Sequence, residues 1–311
     1  MARGQSGMTA EAAGNRTLAA AAAITGYAVI VGFTDNYVRV IAAEIGLWQF
    51  HVMRSLMVAL ILLIAVPLLR LDLRPRAWRR VAARSLVHGT GMLIYFGALA
   101  FLPVAQVAAG LYTAPIFVLL ISRLIYGHLI GPARIIAVAL GFAGILLVLK
   151  PGTGAPLGLA SLVPVAAGFF YALGNIATRE WCEGENAVTL TAGFFAALGL
   201  FGLIGMGVLA LFPAVVPPGA AGFVLRGPVW PGLIASCWIF VQALGSLIGV
   251  GLMVRAYQIA EASRVAVFEY VVMPAAAFWG WLIWAEVPGP VQSAGMVLIV
   301  LAGLLIALRR R

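Results

Sequence analysis

Charged side chains are scarce: they make up 10% of the 311 residues, against about 25% in an average domain, while 63% are hydrophobic and mean hydropathy is +1.07. Apolar runs recur from end to end and leave no stretch for a soluble domain. Lysine occurs once, at Lys150, so nineteen of the twenty basic residues are arginine. They cluster at the ends of apolar runs. A net charge of +10 placed that way sets topology and argues against a nucleic-acid groove. The two cysteines, Cys182 and Cys237, lack metal-ligand spacing and read as polarizable packing residues, so no metal site is expected. A phosphate-binding glycine loop is missing, so the chain is not expected to consume ATP. No apolar run carries a Ser/His dyad or paired aspartates, which disfavours a membrane-embedded enzyme, and no cofactor is expected.

Ten apolar stretches of about 17–25 residues are predicted to cross a membrane. Their limits are 18–38, 48–69, 82–101, 104–124, 133–150, 158–180, 187–211, 232–256, 264–285 and 291–308. The first follows Arg3 and Arg16 and runs too far for a cleavable leader, so it reads as a retained span. Cytoplasmic connections carry the excess of Arg and Lys. With the N-terminus inside, sixteen basic residues fall in the cytoplasm, including the run from Arg70 to Arg84 and the terminal Arg309-Arg310-Arg311. Only Arg39, Arg54, Lys150 and Arg226 remain outside. Both termini are therefore expected on the cytoplasmic side of a bacterial-type inner membrane.

A nine-residue segment recurs 158 positions later: Leu124-Ile125-Tyr126-Gly127-His128-Leu129-Ile130-Gly131-Pro132 and Leu282-Ile283-Trp284-Ala285-Glu286-Val287-Pro288-Gly289-Pro290. Val107-Ala108 with Val265-Ala266, and Tyr112 with Tyr270, echo at the same offset. Pro115 and Pro274 correspond after a one-residue shift and predict kinked fourth and ninth spans. Half the chain length separates the copies, so the expected fold class is an all-α polytopic membrane protein whose ten helices form two five-helix repeats. The expected units are 1–150 and 151–311, meeting near Lys150-Pro151-Gly152. Because five is odd, the halves must be inverted in the bilayer, the pattern of alternating-access carriers.

A charge at mid-bilayer costs at least about 2.5–3.5 kcal/mol, so polar residues inside spans are the candidates for function. Asp35, the only aspartate in a span, is the best candidate for ion coupling; with Asn36, Arg39 and Arg54 it also reads as an ion-pair cluster or external gate. Asp35 and Arg39 are four apart on one helix face and are expected to pair, with Arg54 as an alternative partner. Glu269 is expected near Arg255 and Arg264 as an inner gate. Tyr171, Asn175 and Thr178 form a polar stripe on span six, as do His88, Met92 and Tyr95 on span three. Trp238 and Gln242 sit on span eight beside Gly245 and Gly249, a spacing that favours close helix packing. With Tyr112 and Tyr270 these side chains fit a cavity for an amphipathic organic molecule. His51 and His128 fall near the membrane surfaces and carry little functional signal.

The duplication, the Lys150-Pro151-Gly152 junction, Arg54, and the stretch from Ala256-Tyr257 to Leu304 with Pro274, Ala285-Glu286, Gly295 and Gly303 together resemble the drug/metabolite transporter superfamily, in its tandem EamA-type branch. The resemblance covers essentially the whole chain and implies a central cavity among spans one, three, four, six, eight and nine, with five and ten peripheral. His128 departs from the acidic residue usual in the first half. Thr34-Asp35-Asn36 followed by Arg54 is similar to a branch related to S-adenosylmethionine transporters; amino-acid exporters are the other close comparison. The expected activity is secondary transport of a small organic metabolite, with export of hydrophobic or aromatic amino acids preferred over uptake or exchange of an S-adenosylmethionine-like solute. The expected partners are that solute and the bilayer, with no nucleic acid and no soluble protein, and the expected state is a monomer or weak dimer.

Overall fold

In a bilayer the backbone must satisfy its own hydrogen bonds, so apolar runs of this length fold as helices. The computed structural model describes residues 2–98, 101–102, 104–149, 159–218 and 222–308. The junction at Lys150-Pro151-Gly152 and the terminal Arg309-Arg310-Arg311 lie outside the described residues. The helices are α1 (Ala2–Asp35), α2 (Val38–Glu44), α3 (Leu47–Leu68), α4 (Trp78–Ala98), α5 (Val104–Leu111), α6 (Ala114–Leu124) and α7 (Pro132–Leu149). They continue as α8 (Leu162–Glu180), α9 (Ala187–Leu211), the short α10 (Gly222–Leu225), α11 (Leu233–Ile259), α12 (Ala262–Glu269), α13 (Val272–Trp284) and α14 (Pro290–Ala307).

Among the described residues, nine helical stretches are long and apolar enough to cross a membrane. The tenth helix of the bundle is α4, whose Arg79, Arg80, Arg84 and His88 lower its apolarity. Its place is interior: it packs on α8 and α9, with Arg84 and His88 buried. The usual distribution of polarity is inverted across the bundle. Leu63, Ile64, Leu203 and Leu233 are exposed, while His51, Arg84, Asn175, Gln242 and Glu269 are buried.

Three spans are interrupted. The first runs on past the expected limit of residue 38, from Asn15 to Glu44, with a break at Asn36-Tyr37. There Asn36 Nδ2 donates to the carbonyls of Gly32 (2.7 Å) and Ala276 (3.2 Å), a side-chain bond that competes with the helix ladder. The fourth span breaks at Tyr112-Thr113 and the ninth at Tyr270-Val271. The expected proline kinks are corrected by this arrangement. Pro115 and Pro274 lie in the first turn of α6 and α13, where a missing N–H costs little, so they mark helix restarts.

The two breaks are 158 residues apart, the offset of the repeated segment. The repeated segments share a backbone feature too. Gly127 (φ 66°) and Ala285 (φ 55°), which correspond at that offset, both adopt the left-handed conformation that ends the preceding helix.

Helices of the two halves pack across one another: α4 on α8, α1 on α11, α3 on α9, and α7 on α14. Advancing each span by five turns the three–six pairing into eight–one and maps two–seven and five–ten onto themselves. Glycines set several of these approaches. A Cβ on Gly144 would lie 2.6 Å from the carbonyl oxygen of Gly295, and one on Gly295 would lie 2.6 Å from that of Gly144. Gly245 and Gly249 face Thr34 and Val31 of α1, so the GxxxG of α11 is a helix-packing site.

Polar side chains tie the two ends of the bundle. At the arginine-rich end, Glu185 accepts from the backbone N–H of Arg76 (3.1 Å) and Ala77 (2.6 Å), and Arg179 donates to the Ala260 carbonyl (2.9 Å). At the other end, Arg226 donates to the Ala42 carbonyl (2.6 Å), and Glu44 accepts from Gly232 N–H (2.8 Å).

The α7–α14 crossing gives a direct test. Gly295→Ala forces two backbones apart and is expected to cost about 1–3 kcal/mol, read as a lower thermal midpoint in detergent. Gly207→Ala, where no atom lies within 4 Å, is expected to be neutral or slightly stabilising. Equal midpoints for the two variants would contradict the close crossing. Ala285→Gly relieves a left-handed alanine and should stabilise by about 1 kcal/mol in the same measurement.

Candidate functional site

The three interruptions converge. Asp35 is the last residue of α1, Leu111 of α5 and Glu269 of α12, and all three line one internal cavity. Breaking a helix at membrane depth frees carbonyls and turns side chains inward, and this is tolerated only where protein encloses the break. The walls carry the phenols of Tyr27, Tyr95, Tyr112 and Tyr171, the rings of Phe96, Phe194 and Phe195, and the thioethers of Met92 and Met253. Pro115, His88 and Ser246 also line it. The cavity is narrow, about 100 Å³. Pockets that enclose organic ligands usually measure about 300–1,000 Å³. This cavity is smaller than that range.

Charge in the cavity is held differently from the expected pairings. Asp35 does not pair with Arg39. It accepts from Gln242 Nε2 at 2.8 Å, and Gln242 in turn accepts from Ser246 at 2.5 Å. Asp35 stays exposed, and it is the cavity that it lines. Arg39 points away from Asp35 to Glu286, 3.0 Å distant, because the break at Asn36-Tyr37 turns α2 off the axis of α1. Glu269 does not meet Arg255 or Arg264. It is buried, accepts from Asn175 Nδ2 at 3.1 Å and accepts a short bond from the Tyr257 hydroxyl. Arg264 and Arg134 instead share Glu261, at 3.5 and 2.6 Å, and Arg255 lines a separate polar cleft at the arginine-rich end.

Arg54 is the cation of the cavity. It is buried, and its guanidinium lies over Phe50 (4.7 Å), Phe195 (5.6 Å) and Phe96 (6.0 Å). Its Nη2 meets Nδ1 of His51 at 3.3 Å, and its Nε is buried without a hydrogen-bond partner. No carboxylate lies within 4.0 Å of it among the described residues. His51 is fully buried between Phe50 and Phe96.

Of the side chains expected to face a cavity, His88, Tyr95, Tyr112 and Tyr171 line this one. His88 is held edge-on by Tyr171 (4.8 Å) and Phe194 (5.0 Å). Asn175 and Gln242 stand one layer back and hold Glu269 and Asp35. Trp238 is displaced toward the end away from the arginines, stacked on Tyr37 at 3.3 Å, in a cluster with Phe33, Trp279 and Trp284. Tyr270 packs with Ile145 and Ile299 and is not part of the lining. Tyr27, Phe194, Phe195 and Met253 were not anticipated. Tyr27, Val31 and Asp35 follow one another at i, i+4 and i+8, a stripe visible in the sequence; the phenylalanines and methionine carry no such mark.

The repeated segments close opposite ends of the bundle. His128 Nε2 lies 3.7 Å from Glu180, at the end of α8, and Glu286, its counterpart, binds Arg39, at the start of α2. Each pair ties the connection after one half's broken span to the first span of the other half. Arg39 also lies 3.8 Å over the Trp284 ring. These pairs are partly exposed, with side-chain exposures of 49 and 60% at Arg39 and Glu286. Exposed ion pairs are worth about 0–1 kcal/mol.

The model of the EamA-like transporter family matches residues 18–150. A riboflavin transporter from Rhizobium johnstonii is 28% identical over 229 residues, covering 74% of this chain and 70% of the relative. A pseudopaline exporter from Pseudomonas aeruginosa is 28% identical over 221 residues, 70% of this chain and 71% of its own. A solved crystal structure 18% identical in sequence superposes with a TM-score of 0.73 over 94% of this chain and 98% of its own, which establishes a shared fold. Residues 18–150 thus carry an EamA-like transporter domain, and the chain as a whole is an integral membrane protein similar to transporters of the drug/metabolite superfamily.

Proposed function

We propose that this transporter exports amino acids with hydrophobic or aromatic side chains, by alternating access between two inverted five-helix repeats. The observation that carries the reading is the cavity itself, where tyrosine and phenylalanine rings surround an exposed carboxylate, Asp35, and a buried guanidinium, Arg54. Rings and thioethers accept an apolar side chain, and the charges orient the polar end. The relative named a pseudopaline exporter supports the export direction. The excess of arginine at one end supports cytoplasmic termini in an inner membrane. The rings alone favour a second reading, movement of a flat aromatic metabolite such as the riboflavin of the other relative. The Asp35-Asn36 pair keeps an S-adenosylmethionine-like solute in the same comparison.

Purified protein in liposomes is expected to exchange labelled phenylalanine and leucine faster than empty vesicles do. Riboflavin or S-adenosylmethionine exchange with no flux of any amino acid would replace the proposal by the second reading. Asp35→Asn and Glu269→Gln are each expected to lower that exchange about tenfold or more while the protein still inserts normally. Retention of flux in both variants would remove the carboxylates from the transport cycle.

The end contacts predict a shift in access. In a background lacking Cys182 and Cys237, Ser246→Cys reports on the cavity through an impermeant thiol reagent. Glu286→Arg, which sets two cations together, should raise its labelling from the outer side by up to about fivefold, the population change that 1 kcal/mol allows. Exchanging the pair as Arg39→Glu with Glu286→Arg should restore the original rate. Unchanged labelling in the single variant would show that the pair does not gate.

A further inference from the structure

We infer that the cavity recognises its solute as a zwitterion, with Arg54 taking the carboxylate and Asp35 the ammonium group. The inference rests on the amino-acid reading above and adds to it which residue reads which end. A guanidinium removed from water costs several kcal/mol unless a counter-charge and hydrogen bonds restore what water supplied. Arg54 has no such counter-charge and little hydrogen bonding: no carboxylate is within 4.0 Å among the described residues, Nε has no partner, and its one side-chain bond goes to an imidazole nitrogen. Asp35, the exposed carboxylate of the same cavity, is placed to neutralise it but is engaged by Gln242.

The surroundings keep the two charges apart. Phe50, Phe96 and Phe195 strap the guanidinium, fixing its plane by cation–π contact and excluding water. On the other side the Ser246–Gln242 chain orients Asp35 and leaves the carboxylate surface open to the cavity. Two opposite charges held apart in one low-dielectric chamber are each under-compensated, and a single ligand bearing both signs satisfies them together. A planar fork such as guanidinium suits a carboxylate in bidentate geometry, whereas a neutral planar ring system offers neither charge. An apolar side chain on such a ligand falls among Tyr27, Tyr95 and Phe194.

The test is competition against labelled phenylalanine in the full-length protein in liposomes. Phenylalaninamide lacks the carboxylate, 3-phenylpropionate lacks the ammonium, and each is expected to compete about tenfold or more weakly than phenylalanine. In Arg54→Gln the penalty on the amide should vanish while that on phenylpropionate remains; in Asp35→Asn the pattern should reverse. Because Arg54→Gln risks misfolding, the wild-type analogue series and Asp35→Asn stand as independent measurements. Equal competition by all three compounds in the wild type would overturn the inference and leave amino-acid transport standing. A wild type that moves riboflavin and no phenylalanine would overturn both.

Discussion

Within hydrocarbon a free N–H or C=O has no solvent to bond, so an interrupted helix survives only where protein surrounds the interruption. Everything distinctive in this bundle follows from where three interruptions are allowed. The breaks at Asn36-Tyr37, Tyr112-Thr113 and Tyr270-Val271 lie on spans that turn inward, and the residues just before them line one chamber. Asn36 shows how the cost is met: its amide bonds one carbonyl of its own helix and one of α13, joining the first span to the ninth. The unbroken spans serve a different purpose. α7 and α14 press together through Gly144 and Gly295, and their neighbours present leucine and isoleucine to lipid.

Charge follows the same economy. At the ends of the bundle, ion pairs such as Arg39–Glu286 and Arg134–Glu261 sit in reach of water and are individually weak. Inside, pairing is avoided. Glu269 rests on a phenol and an amide, Asp35 on an amide, and Arg54 on rings and an imidazole. Direct pairing would have collapsed the chamber around a neutral contact. Neutral donors and aromatic faces hold each charge in place without cancelling it.

Much of this was legible in the sequence, because repetition and periodicity act locally. The residues that begin both helix breaks, Tyr112 and Tyr270, and both left-handed residues, Gly127 and Ala285, are related by the offset of 158, and the stripe His88, Met92, Tyr95 marked the cavity face of α4. The failures share a cause. Asp35 and Arg39 are four apart on a continuous helix and ought to meet, but the break between them turns α2 aside. Arg84 reads as a loop charge because it adjoins an arginine-rich connection; in the fold it is buried and donates to Thr178 Oγ1 at 2.9 Å. Phe194 and Phe195 are indistinguishable in sequence from lipid-facing residues, since lipid and an aromatic cavity wall ask for the same side chain.

The two halves have diverged at the positions where duplication alone would have made them alike. Glu269 corresponds to Leu111 at the offset of 158, and both end the helix before a break, so only one of these two related breaks places a carboxylate in the chamber. Glu286 corresponds to His128, and the partners differ in the complementary sense, Arg39 for the acid and Glu180 for the imidazole. In each case the partner belongs to the other half. A single repeat would therefore have neither ion pair, and it would lack either Asp35 or Glu269. On the proposed alternating-access reading, the duplication supplies a symmetric frame with two ways to open, and the substitutions make those openings chemically distinct. A carrier needs both: symmetry makes the two access states comparable in energy, and asymmetry lets a solute charge act differently on each.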